Sequence, residues 1–200
     1  YELALTRGWL FGQLDSLGHQ SIQMASRNRA RLTAHDQVMV QAYQAFLEGD
    51  YTSSRAQYQG LLTRDTTDAD ASYALGDAWF HDPDTASSNY ARHNQESLRA
   101  FHRALELDPG YYLAYEHTTW TLRNASRMHP PWVLLPGDSL TPVYGPGDQR
   151  RLDSAAVVPG VRLARAEGLR EARSWLASQP DNPHAQAALI EELFASGNYS

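Results

Sequence analysis

The chain has 200 residues and a formal net charge of −6, and 42% of its residues are hydrophobic and 20% charged. This composition is typical of a globular protein, and the lack of a long Lys/Arg cluster argues against a nucleic-acid-binding face. The chain has no cysteine, which excludes disulfides, thiol catalysis and cysteine zinc sites. No apolar run approaches the roughly 20 residues of a transmembrane helix, so no transmembrane segment is predicted.

The two ends of the chain give two further expectations. The first residue is Tyr1 and no signal-peptide pattern follows it, so we expect a processed or cut N-terminus. We also expect a cytoplasmic location, and a periplasmic or extracellular one stays open. The helical pattern stops in a turn, without the polar cap that finishes a repeat array, so we expect the natural protein to continue past Ser200.

Residues 1–31 are predicted to form one or two helices ahead of the main pattern. Leucines recur there at helical spacing and fall on one face of the segment; they are Leu3, Leu10, Leu14 and Leu17. We interpret this segment as an earlier, diverged helix pair that precedes a core of helix pairs over residues 32–128.

The first clear helix–turn–helix unit is predicted from about His35 to Asp68. Thr33 and Asp36 form a variant of the capping box, which favours a helix start just before the apolar stretch that follows. The Gly49-Asp50-Tyr51 segment marks the turn. After this turn, Ser54, Tyr58 and Leu61 recur at helical spacing on one stripe. Before it, the predicted first helix carries the small residue Ala42.

A second unit, which starts near Ala69, carries the strongest pattern. Its first helix contains Leu75-Gly76 and Trp79, and its second helix contains a small–aromatic–Ala–Pro series. That series is Ser97, Phe101, Ala104 and Pro109. Extra residues around positions 81–94 are expected to lengthen the loop between the two helices. A third unit opens with Tyr115 to Leu122, and a fourth opens near Pro183.

This succession of units resembles the tetratricopeptide repeat family, in which a 34-residue helix–turn–helix unit is stacked on its neighbours. The resemblance implies an all-α fold, an irregular α-solenoid of helix–turn–helix pairs with a truncated repeat over residues 161–200. It also implies a non-catalytic scaffold that binds other proteins. The pattern is similar to repeat regions attached to bacterial Ser/Thr kinases and to transcriptional regulators, which implies a place in a longer signalling or assembly protein.

Residues 129–160 differ from the rest because Pro and Gly interrupt them repeatedly, for example at Pro130-Pro131 and Gly145-Pro146-Gly147. No long helix is expected to run through such a segment, so one long ordered loop is predicted. Its apolar side chains, Trp132 and Tyr144 among them, are expected to pack it. The loop is interpreted as a lid over a gap in the helix stack or, alternatively, as a binding loop.

The register of the tetratricopeptide resemblance implies a concave groove lined by the first helix of each unit. Aromatic and acidic side chains fall at the groove positions, so the implied partner is a basic or amphipathic protein segment. An alternative is that the N-terminal helices or the long loop fill this groove. The implied groove residues are Asp36, Met39, Tyr43, Phe46, Tyr73, Asp77, Phe80, His81, Glu116, Trp120 and Arg123.

Catalytic and metal-binding patterns are missing from the sequence. The eight histidines include no His-Glu-x-x-His motif, and no Gly-x-Ser-x-Gly elbow or phosphate loop occurs. No catalytic residue, metal site or cofactor is therefore predicted.

Two rival functions stay open: a permanent structural subunit of a larger complex, and a small-ligand or carbohydrate-binding domain that uses Trp120, Trp132 and the long loop. Asn124 and Asn198 begin glycosylation sequons, a motif short enough to arise by chance.

Overall fold

The computed structural model describes residues 2–11, 15–83, 87–137, 139–144 and 150–196. Within this part of the chain the fold is mostly helical, which confirms the predicted fold class at that level. The α-helices are α1 (Glu2–Phe11), α2 (Ser16–Arg27), α3 (Ala34–Leu47), α4 (Tyr51–Arg64), α5 (Ala69–Phe80), α6 (Ser87–Leu107), α7 (Tyr112–Ala125), α8 (Ser154–Ser178) and α9 (Pro183–Ser196), with a short 3-10 helix at Arg29–Arg31. The strands are β1 (Trp132–Leu135) and β2 (Ser139–Pro142).

The chain divides into two compact units, unit 1 (Tyr1–Asp82) and unit 2 (Pro83–Ser200). In unit 1 each helix from α1 to α5 packs against the next along the chain. In unit 2 the same holds from α6 to α7, α8 and α9, and α7 also contacts α9. Helices that follow one another along the chain are therefore neighbours in each unit, as short connections favour, and in unit 2 the two strands lie between α7 and α8 in the chain.

Short polar side chains fix the starts of five helices. In each case the residue before the helix accepts a hydrogen bond from a backbone N–H three positions later, which satisfies an otherwise unpaired donor. The predicted start at Thr33 is one of them, since its hydroxyl accepts from the Asp36 N–H at 3.1 Å. The five capping residues are Asp15, Thr33, Asp50, Asp68 and Asp153.

The turn between α3 and α4 requires a glycine, as the sequence indicated. Gly49 has φ of 80°, a left-handed conformation that glycine adopts without steric cost. Behind this turn, Arg55 on α4 ties the helix to the end of α5. Its guanidinium lies 4.0 Å from the centre of the Trp79 ring and 2.6 Å from a carboxylate oxygen of Asp82, so it combines a cation–π contact with an ion pair.

The leucine face predicted for the N-terminal helices is not a buried face. Leu3, Leu10 and Leu17 are 60%, 59% and 50% exposed, and Leu14 lies outside the described residues. Ala4 and Ile22 are buried instead, so the face that packs is not the one that carries the leucines. Helices α1 and α2 are also joined by the Arg7 guanidinium, which donates to both Asp15 carboxylate oxygens at 2.6 and 2.8 Å and lowers the pKa of Asp15 to about 2.

The prediction of a lengthened loop around residues 81–94 is wrong. Helix α6 begins at Ser87 and runs for 21 residues, so the extra residues add turns to the helix. The physical reason is an apolar stripe that extends further toward the N-terminus than the repeat pattern does. Its buried apolar members at helical spacing are Ala91, Leu98, Phe101 and Leu105, and the buried polar Asn94 lies on the same face.

The prediction of a loop over residues 129–160 is also wrong in two respects. First, β1 and β2 form an antiparallel hairpin in which Trp132 pairs with Pro142 and Leu135 with Ser139. An isolated two-stranded hairpin is marginally stable in water, and this one packs on α6, α7 and α8. The Gln95 side chain on α6 also accepts hydrogen bonds from the Leu140 N–H at 2.9 Å and the Ser139 hydroxyl at 3.3 Å, which covers the open edge of β2.

Second, α8 begins at Ser154 and runs through Pro159 and Gly160. Proline inside a helix removes one backbone hydrogen bond, so the packing of this first part of α8 against β1 must compensate. Gly160 allows that packing, because an added Cβ there would lie 2.7 Å from the Val133 Cβ and 2.9 Å from the Leu134 carbonyl oxygen. The Pro-Gly pair thus marks a close helix–strand contact and not a break in the helix.

Candidate functional site

Four of the implied groove residues in unit 1 are buried. Met39, Tyr43, Phe46 and Tyr73 are between 3% and 8% exposed, which leaves them little surface for a partner. The Tyr43 hydroxyl donates to the Ala4 carbonyl oxygen at 3.3 Å, so α1 covers this tyrosine. This is the arrangement expected under the alternative in which N-terminal helices occupy the first part of the groove.

The other implied groove residues of unit 1 keep more contact with solvent. Asp36, Asp77 and Phe80 are half-buried, and His81 is exposed. The Asp77 carboxylate lies 3.3 Å from Nε2 of His81, at the C-terminal end of α5. Burial by itself lowers the pKa of His81, but the ion pair with Asp77 outweighs it and the pKa is raised.

In unit 2 the structure brings the three implied groove residues together around one cavity. We call it the α7/α9 cavity; it has a volume of about 250 Å³ and lies between α7 and α9, with Trp175 of α8 contributing to the wall. Glu116, Trp120 and Arg123 lie at successive turns of α7, so they share one face. The cavity is lined by Glu116, Thr119, Trp120, Arg123, Trp175, His184, Ala187, Ala188 and Glu191.

Ion pairs join α7 to α9 at the two ends of the α7/α9 cavity. Oε1 of Glu116 lies 3.1 Å from Nδ1 of His184, and the Arg123 guanidinium pairs with Glu191 and, at 3.5 Å, with Glu192. His184 follows Glu116 in the sequence by as many residues as Glu191 follows Arg123. The two contacts are therefore made in the same order along both helices, so α7 and α9 run parallel. Small side chains on α9 between the two ion pairs leave the space that forms the cavity.

Glu192 is the most deeply buried carboxylate of this site, with 1% exposure. Burial raises its pKa, and the Arg123 guanidinium opposes that rise. Gly168 on α8 provides the room, because an added Cβ would lie 2.9 Å from the Glu192 carboxylate. Burial likewise raises the pKa of Glu116, and its pairing with His184 opposes the rise. Both acids are therefore held partly desolvated beside the cavity.

Replacing Glu192 with glutamine is expected to change the pH dependence of stability. Because the pKa of Glu192 is raised in the folded protein above its ordinary value of 4.5, the folded state binds the proton more tightly than the unfolded chain. The contribution of this group to stability is thus fully present below about pH 4.5 and is lost as pH rises through the raised pKa.

The free energy of unfolding of the Glu192→Gln variant, relative to the natural protein, should therefore increase as pH is raised from about 4 to about 7. Urea denaturation across this pH range measures the difference. The matched control is Glu191→Gln, which removes the exposed carboxylate bound to the same guanidinium. A difference that does not depend on pH for Glu192→Gln would contradict the expectation.

The aromatic residues of the predicted loop lie in the core and not in a ligand site. Trp132 is 1% exposed, and its ring meets that of Tyr90 edge-on with the ring centres 5.1 Å apart. Tyr144 is half-buried against the Val133, Val143 and Val157 cluster. The carbohydrate-binding alternative that relied on Trp132 therefore loses one of its two tryptophans.

The two glycosylation sequons give no available site in the described residues. Asn124 is 5% exposed, and its amide donates to the Trp120 carbonyl oxygen at 2.8 Å, so it is committed inside the fold. Asn198 lies outside the described residues. The sequence motif at residue 124 is thus explained by helix packing alone.

Sequence reasoning missed the α9 half of the site. His184 and Glu191 were not assigned to the groove, although both belong to the first helix of the last predicted unit. The repeat register could have found them, because they occupy the positions on α9 that correspond to Glu116 and Arg123 on α7. Glu192 could not have been found in this way, since its burial depends on the gap left at Gly168.

In comparisons with known proteins, no family model matches the chain and no curated protein shows significant similarity to it. None of the helices in the described part of the chain is long and apolar enough to cross a membrane.

Proposed function

We propose that this protein is a non-catalytic scaffold of tetratricopeptide-type helix pairs that binds a segment of a partner protein along the α7/α9 cavity. The observation that carries the proposal is the joining of Glu116, Trp120 and Arg123 around one cavity. Repeat scaffolds bind partners along faces formed by successive helices. A role in a longer signalling or assembly protein is part of the same proposal.

The composition of the cavity favours a basic, amphipathic segment. Glu116 and Glu191 line the cavity with carboxylates, and the buried Glu192 lies beside it. Arg123 is the one guanidinium that pairs with any of these three in the described residues. An excess of negative charge attracts and orients basic partners. Trp120 is 40% exposed and supplies the aromatic surface that anchors many protein–protein contacts.

The size of the cavity argues against the small-ligand alternative. Its volume of about 250 Å³ is below the roughly 300–1,000 Å³ of most small-molecule sites. A single side chain of a partner fits such a space better than a whole ligand does. The remaining surface contact would then come from residues of the partner segment that lie across α7 and α9.

A permanent structural subunit is the second candidate, and the exposed apolar residues favour it. On the N-terminal helices Leu3, Leu10, Leu17 and Met24 are each at least half exposed, and on α9 so are Ile190 and Phe194. Isolated exposed apolar residues are ordinary, but contiguous patches mark interfaces.

The groove proposal is tested by selecting binders from a random peptide display library with the full chain as bait. The enriched peptides are expected to be basic and amphipathic and to bind the Trp120→Ala variant at least tenfold more weakly, a loss of about 1.4 kcal/mol or more. The matched control is Met128→Ala, which removes an exposed apolar side chain outside the cavity. Enriched peptides that bind both variants equally well would place the interface elsewhere and favour the structural-subunit candidate.

A further inference from the structure

Glu116 differs from Glu191, the other carboxylate that lines the α7/α9 cavity, in burial and in the nature of its partner. Its side chain is 25% exposed, and that of Glu191 is 54% exposed. Glu191 and Glu192 are both paired with Arg123, whereas Glu116 is paired with an imidazole that is itself 62% exposed. An exposed side chain can change rotamer at little cost, so the His184 ring has room to leave Glu116.

The surroundings of Glu116 suit a cation that carries an apolar stem. Trp120 lies one helical turn further along α7, and its indole is 40% exposed, so a cation bound at Glu116 is within reach of an aromatic face. Thr119 does not compete for it, because its hydroxyl donates to the Tyr115 and Glu116 backbone carbonyl oxygens at 2.8 and 3.1 Å. Alanines 187 and 188 line the opposite wall and leave space for methylene groups.

The guanidinium that lines the cavity pairs with carboxylates other than Glu116. The Arg123 guanidinium lies two helical turns away on α7 and is held by Glu191 and by the buried Glu192. A carboxylate that is three-quarters buried interacts more strongly with a cation than an exposed one does, since the surrounding dielectric is lower. The carboxylate best placed to bind a cation of a partner therefore lies at the Glu116 end of the cavity.

We propose that the α7/α9 cavity binds a lysine or arginine side chain of the partner segment, with Glu116 as its counterion, Trp120 as its aromatic wall and His184 as the group that it displaces. This inference rests on the groove function proposed above and adds the chemistry of one position in the segment. His184 thereby becomes a specificity-determining residue, because a neutral or apolar side chain would have to break the Glu116–His184 pair without replacing it.

The test uses the full chain and three synthetic amphipathic peptides that are identical except at one central position. That position carries lysine, Nε-acetyl-lysine or glutamate, so that charge changes while the stem is retained between the first two. Isothermal titration calorimetry is expected to show about tenfold tighter binding of the lysine peptide than of the acetyl-lysine peptide, and weaker binding still of the glutamate peptide.

Protein variants then assign the preference to named groups. Glu116→Gln removes the counterion and His184→Lys supplies a permanent competing cation, so both are expected to abolish the tenfold preference for lysine. His184→Gln leaves Glu116 without a competing charge and should keep or increase the preference. Glu106→Gln, an exposed carboxylate on α6, is the matched control and should leave the preference unchanged.

The outcomes separate this inference from the groove function. Equal affinity for the lysine and acetyl-lysine peptides, with both weakened by Trp120→Ala, would overturn the cation site and leave the groove. If no peptide binds, n-butylammonium is titrated while the Trp120 indole resonance is followed by NMR. A shift that disappears in Glu116→Gln would keep the cation site and overturn peptide binding, and no shift would overturn both.

Discussion

The replacement of Trp132 with alanine is expected to lower the free energy of unfolding of unit 2 by about 3–5 kcal/mol, the range measured for large aromatic residues removed from cores. Trp132 is 1% exposed and lies at the start of β1, in a cluster with Leu98 of α6, Leu122 of α7 and Ala164 of α8. This cluster thus joins the hairpin to the three helices on which it packs. Its removal leaves a cavity that these helices can only partly close.

Urea denaturation followed by circular dichroism measures this loss. Trp120→Ala is the matched control, because it also deletes a tryptophan side chain, at a position that is 40% exposed. Its loss in the free energy of unfolding should be much smaller. Hydrogen exchange at the Leu140 N–H, which donates to the Gln95 side chain, should also become faster in Trp132→Ala if the hairpin loosens from α6. Equal losses in the two tryptophan variants would show that the hairpin cluster is not a stabilising core.

The second large effect is expected at Gly160, where alanine should destabilise unit 2 although alanine is the better helix former. The added Cβ would meet the Val133 Cβ at 2.7 Å and the Leu134 carbonyl oxygen at 2.9 Å. A backbone oxygen cannot move aside as a flexible side chain can, so α8 must shift away from β1. Overpacking of this kind costs about 1–3 kcal/mol, which exceeds the gain in helix propensity of about 1 kcal/mol at most.

Gly60 offers the same substitution with the opposite expected sign. It lies in the interior of α4, and no heavy atom lies within 4 Å of an added Cβ, so Gly60→Ala should stabilise unit 1 by about 0.5–1 kcal/mol. Differential scanning calorimetry of the two variants compares the signs directly. Stabilisation by Gly160→Ala would mean that α8 does not approach β1 as closely as the structure shows.

Both expected effects concern α8, which connects the hairpin to the proposed binding site. The N-terminal part of α8 packs on β1 at Gly160, and its C-terminal part carries Trp175, which is stacked on Tyr115 with the ring centres 5.8 Å apart and lines the α7/α9 cavity. A loss of peptide binding in Gly160→Ala would therefore need to be compared with its loss of stability. Trp120→Ala avoids this complication because its side chain is partly exposed.

Local signals in the sequence are enough to predict the helical character of the chain and where several helices begin. Capping residues such as Thr33 and Asp50 act through hydrogen bonds three positions away, and the left-handed Gly49 acts within one turn, so each signal is local and can be recognised in one short segment. The apolar periodicity of α5 and of the second half of α6 is local in the same sense. The register of the tetratricopeptide resemblance implied that Glu116, Trp120 and Arg123 share one face, and the structure places them on one face of α7.

Which side chains those helices bury, and which they leave exposed to solvent, depends on contacts in the tertiary structure. Leu10 is exposed while Ala4 is buried, because the face of α1 that packs is not the one that carries the leucines. Pro159 and Gly160 look like a helix end in sequence, yet Gly160 is the point where α8 meets β1. Glu192 is buried because Gly168, on another helix, leaves room for it. Each of these outcomes depends on a partner distant in sequence, and no local pattern specifies that partner.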